Sequence, residues 1–155
     1  MESLAPEEIA CMSPSFILGS GPRHSFPPRL PSSLLTGDAT AQFAGKYYSD
    51  LQADRGAFVQ YFYREHSTLT FESNTLQGVQ AIGQKWTEDF LKTAKCQIST
   101  TNAQRAPGGL VLVLVTGLIQ LTEEDAPMQF TQSFLISMDE KGVFCINDIF
   151  KLVYG

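Results

Sequence analysis

Apolar positions in the second quarter of the chain recur at helical spacing. Phe43, Ala44, Tyr47, Tyr48 and Leu51 fall at i, i+1, i+4, i+5 and i+8, one face of a helix opening at Asp38, an N-cap residue type. After the "ADRG" break, Phe58, Val59, Phe62 and Tyr63 repeat the spacing and predict a second, shorter helix. "STLTFES" (67–73) switches to β-branched and aromatic residues, and "NTLQG" (74–78) reads as the turn into a third helix, from Val79 to about Leu91. Its apolar members are Val79, Ile82, Trp86 and Phe90, and the lone tryptophan reads as core. From residue 94 the period falls to two or gives way to continuous apolar runs. Four strands follow, at about 94–105, 110–122, 128–138 and 143–153, separated by "APGG", "EEDAP" and "DEKG". Three helices followed by successive hairpins predict an α+β domain, with the helices packed on one face of a bent antiparallel sheet.

The third strand carries a hint of assembly. Phe130, Gln132, Phe134, Ile136 and Met138 alternate with Gln129, Thr131, Ser133, Leu135 and Ser137, so one face is greasy and the other uncharged. An uncharged outer face suits pairing with a second copy of the chain. Residues 1–37 differ from the rest: they hold six of the eight prolines and seven serines without sustained periodicity. They are expected to be a poorly ordered extension, with the folded domain at 38–155.

Charge and cysteine content narrow the partners. A net charge of −5, from 16 acidic and 11 basic residues, excludes the basic stripe that nucleic-acid binding needs and favours basic partners. Cys11, Cys96 and Cys145 lack CxxC spacing, and His24 and His66 complete no ligand set with them, so neither metal nor cofactor is expected. Free cysteines fit a reducing compartment, cytosolic or nuclear. No apolar run approaches the roughly 20 residues of a membrane span, and "SFILGS" (15–20) is too short for a signal peptide. His66 reads as a surface residue, and Cys96 and Cys145 as small apolar residues of strands. Asp148 lies in the otherwise apolar "INDIF", where a carboxylate is either hydrogen-bonded or catalytic; Tyr47 or Tyr63 could serve beside it. The acids Glu123, Glu124 and Asp125 alone read as a solvated turn.

The order of "FAGKYYSDL" (43–51), "STLTFES" with "LQG", "APMQFTQSFLI" (126–136) and "INDIFKLVYG" (146–155) resembles the nuclear transport factor 2 family, from about Phe43 to Tyr154. The resemblance implies a cone of three helices cupped by a bent sheet, a hydrophobic cavity at the open end, and dimerisation through the sheet's outer face. It also implies a carrier without catalysis. The homodimer would bind Ran in its GDP form and Phe-x-Phe-Gly nucleoporins, and carry Ran through the nuclear pore between cytoplasm and nucleus. The family's Ran contact is an aromatic residue inserted into the cavity, ringed by carboxylates. By the resemblance the cavity wall falls on Phe71 and one acid on Glu72. The others fall on Glu123 or Glu124 and on Asp125, in a loop one residue shorter than in animal members. A family tryptophan that holds nucleoporin phenylalanines has Thr36 in its place, so those contacts are unassigned. Two other readings share the fold: an mRNA-export adaptor that pairs with a larger receptor, and an isomerase-type enzyme with Asp148 as base.

Overall fold

The computed structural model describes residues 37–154. Helix α1 (Gly37–Ala53) buries the face formed by Phe43, Ala44, Tyr47, Tyr48 and Leu51. It begins one residue before Asp38, whose side chain, like Thr36 and the proline-rich segment, lies outside the description. Helix α2 (Arg55–Phe62) follows one residue later because Asp54 caps it, its carboxylate accepting the Ala57 N–H at 3.1 Å. Phe58, Val59 and Phe62 of α2 are buried, as is Tyr63 just after it.

Strand β1 (Thr68–Phe71) turns through Glu72 and Ser73 into β2 (Asn74–Gln77). The sequence reads 74–78 as a turn. The structure corrects this: "NTLQ" is a short edge strand with only Leu76 half-buried, so it carries no alternation to reveal it. Helix α3 (Val79–Trp86) is also shorter than the expected run to Leu91. The Thr87 hydroxyl takes the Gly83 and Gln84 carbonyls at 2.9 and 3.2 Å, and a turn follows in place of further helix. Phe90, expected on the buried face, is therefore 47 % exposed, whereas Trp86 and Ile82 are wholly buried.

The four long strands lie where the pattern puts them: β3 (Lys95–Ala106), β4 (Leu110–Gln120), β5 (Met128–Asp139) and β6 (Gly142–Leu152). The sheet order is β2-β1-β6-β5-β4-β3, and its one departure from antiparallel pairing is β1 beside β6. The sheet is thus mixed. The parallel pair brings the third and last quarters of the chain together, a non-local contact that local patterning does not encode. Register shifts at Ile98/Thr100 in β3 and Leu135/Ile136 in β5 are bulges that bend the sheet around the helices. Tyr47 sits at the centre of the core, its ring in edge or tilted contact with Phe43, Tyr48, Phe58, Phe62 and Phe134.

Candidate functional site

The strand directions gather the predicted site residues at one end of the sheet. β1 and β6 are parallel and both antiparallel to β5, so Glu72, the end of β6 and the loop between β4 and β5 share that end. With strands about 4.8 Å apart, β1 lies roughly 10–15 Å from β5 and β4 across the sheet. A partner side-chain cluster can span that width.

Aromatic rings form the floor. Phe71 and Phe150 are in register on β1 and β6 and stack at 4.7 Å and 4°; Phe150 stacks on Phe130 of β5 at 5.0 Å and 13°. Trp86 meets Phe71 and Phe150 edge-on. Phe71 is 5 % exposed and Phe150 and Trp86 are fully buried, so the stack is closed to solvent here. The Lys85 ammonium lies 5.1 Å from the centre of the Phe71 ring.

The acids differ in their commitments. Glu72 occupies the β1–β2 turn with φ 57°, a left-handed conformation unusual for a residue with a Cβ. Its Oε1 accepts the Leu152 N–H at 2.5 Å and its Oε2 is 3.6 Å from Lys151. Glu123 is 3.6 Å from Lys95. Asp125 closes its own turn by accepting the Thr122 hydroxyl at 2.9 Å, while the Gln120 amide holds the Glu123 and Asp125 carbonyls. Glu124 is exposed and has no ion pair among the described residues. The ion pairs of Glu72 and Glu123 are solvated contacts worth about 0–1 kcal/mol, so a stronger cationic partner can displace them.

Asp148 belongs to a different arrangement. It is 1 % exposed; Oδ2 accepts from Tyr63 at 2.5 Å and Tyr47 at 3.2 Å, and Oδ1 from the Gln132 amide at 2.8 Å. Burial raises its pKa to about 6 against the opposing pull of these donors, and burial likewise raises both tyrosines. The carboxylate is hydrogen-bonded, as its position in "INDIF" allows. It is sealed inside the core, so a base role would give substrate no approach in this conformation.

The outer face of the sheet is the second candidate surface. Cross-strand rows run Gln104–Leu112–Leu135–Asn147 and Asn102–Leu114–Ser133–Ile149, without a charge. Leu112, Leu114 and Ile149 are exposed by 38, 43 and 52 %. Leu112 and Leu114 with Asn102, Gln104 and Ser133 line a shallow cleft of about 340 Å³. Sequence patterning found Ser133 and Leu135 but not the leucines of β4, because "LVLVLV" is apolar on both faces. Lys85, Glu88 and Phe90 were also missed; the available signal was a lysine three residues after Ile82, on the apolar stripe of α3.

Among the described residues, no His, Cys, Asp and Glu cluster could hold a metal, and no helix is long and apolar enough to cross a membrane. Comparison with known proteins gives a consistent family. The model of the nuclear transport factor 2 domain matches residues 39–152. Nuclear transport factor 2 of Emericella nidulans is 40 % identical over 116 residues, 74 % of this chain and 92 % of that protein. Its Saccharomyces cerevisiae counterpart is 37 % identical over 114 residues, 73 % and 90 % of the two chains. The structure of nuclear transport factor 2 from Cryptosporidium parvum superposes with a TM-score of 0.68 at 25 % identity, covering 83 % of this chain and 98 % of that one. The chain therefore belongs to the nuclear transport factor 2 family.

Proposed function

We propose that this chain is a non-enzymatic, homodimeric carrier that binds Ran in its GDP form and Phe-x-Phe-Gly nucleoporins and brings Ran into the nucleus through the pore. The observation that carries the reading is one end of the fold, where Glu72 and the acidic loop 123–125 flank the Phe71–Phe150–Phe130 stack in a domain of this family. Apolar area at the stack supplies affinity, and carboxylates around it select a basic partner and speed its approach. A buried aromatic anchor commonly dominates such an interface. The uncharged outer face, with Leu112, Leu114 and Ile149 exposed, supports a second copy as the dimer partner.

The test is a calorimetric titration with Ran loaded with GDP or GTP. Glu72→Gln keeps an oxygen for the Leu152 N–H and removes only the charge, so the fold is preserved. GDP-selective binding is expected, weakened roughly 10-fold or more in the variant, as for loss of a charge-assisted contact. Equal affinity for both nucleotide states sinks the reading; unchanged affinity of the variant removes Glu72 from the site.

A further inference from the structure

The aromatic end is shut by three side chains of one short segment. Lys85, in the last turn of α3, is 8 % exposed, and its ammonium lies 5.1 Å from the centres of both the Phe71 and Phe90 rings. Glu88 Oε2 holds it at 3.0 Å. The opposite face of Phe71 is stacked on Phe150. Phe71 is thus sandwiched, and Lys85 covers the face an entering side chain would meet.

The covering segment is built to move as a strap. Its ends are fixed: Trp86 and Leu91 are fully buried, and the Leu91 carbonyl accepts Arg55 Nη2 at 2.6 Å. Between them the helix has stopped, and Phe90 and the Glu88 side chain are exposed by 47 and 44 %. The closed form is also incompletely satisfied, since the buried Trp86 indole N–H, beside the same two rings, has no acceptor. A desolvated ammonium held by one carboxylate and two ring faces regains hydration on release, so closure and opening are finely balanced.

We propose that Lys85, Glu88 and Phe90 form a latch over Phe71, and that its release opens a slot for an aromatic side chain of the partner and frees Glu88 as a further carboxylate toward it. This rests on the reading that the Phe71 end receives the partner. The latch makes the receptive form a fraction of the free protein, and apparent affinity falls by that fraction.

Trp86 is the sole tryptophan of the chain, so its fluorescence reports on the stack without any partner. Acrylamide quenching of the full chain is compared for the wild type, Lys85→Ala and Glu88→Gln, the last leaving the core untouched; circular dichroism verifies each fold. Both variants are expected to raise the quenching constant at least twofold and to tighten Ran-GDP binding roughly 3- to 10-fold. Unchanged quenching in both overturns the latch, as does weaker binding by Lys85→Ala, which would make Lys85 a contact. If the wild type binds no Ran-GDP while quenching rises as expected, the latch stands and the transport reading falls.

Discussion

A carboxylate sealed in an aromatic core needs its donors supplied, and Asp148 receives three, from α1, from the residue after α2 and from β5. Gln132 has a matching role, passing its amide to Asp148 and its carbonyl to Tyr48 at 2.7 Å. Burial still outweighs these bonds and lifts the pKa of Asp148 from 3.8 to about 6. The native state therefore binds a proton between pH 4 and 6 that the unfolded chain has released. Stability from this group is present at pH 4 and is lost as pH rises through 6, by up to about 3 kcal/mol. Asp139 acts outside that window: its bond to Arg64 holds its pKa at about 2, so its contribution is lost only on further acidification. Asp148→Asn is expected to match the wild type best near pH 4 and to gain on it by about 3 kcal/mol toward pH 7, provided the Gln132 amide flips to face the new NH2. Urea denaturation at pH 4, 5, 6 and 7 measures this, and a pH-independent difference between the proteins would refute it. The sequence shows Asp148 among apolar neighbours and names Tyr47 and Tyr63; it hides Gln132, which reads there as one more strand residue.

At the scale of elements, glycine placement controls the bend. A Cβ on Gly117 of β4 would stand 2.2 Å from the Gln97 carbonyl oxygen and 3.0 Å from the Phe130 ring. The approach arises where β3 slips register between Ile98 and Thr100, opposite Gly117 and Thr116. Gly117→Ala must therefore push β3 away or flatten the bulge, and about 3 kcal/mol of destabilisation is expected, seen as a lower urea midpoint. A neutral result would mean that β3 yields freely at its bulge. Elements were legible in proportion to how much of their pattern is local. The buried faces of α1 and α2 and the four long strands follow from periodicity and from Gly, Pro and Asp at the turns. β2 escaped because a four-residue edge strand buries almost nothing, and the end of α3 because one hydroxyl, that of Thr87, takes over the last carbonyls. The site divides in the same way: Phe71 and Glu72 are readable as words, but Lys151 and Leu152, which hold the Glu72 carboxylate, come from the far end of the chain.

At the scale of the whole molecule, the two candidate surfaces meet at β6. Ile149 lies in the uncharged outer rows, and two residues on, Lys151 faces the same side while reaching Glu72 at the aromatic end. A second copy seated on the outer face would thus border the carboxylate site, and each dimer would present two such ends. In a two-fold interface every residue occurs twice, so one charged substitution places two like charges against the same apolar surface. Ile149→Asp is 52 % exposed in the single chain and should leave folding nearly unchanged. Light scattering after size exclusion is expected to give twice the chain mass for the wild type and the chain mass for Ile149→Asp, with unaltered circular dichroism. A wild type that is monomeric at tens of micromolar would reject self-pairing and shift the balance to a larger receptor as the partner of this face. A variant that stays dimeric would place the interface elsewhere, since two buried, unpaired carboxylates cost far more than an apolar patch of this kind returns.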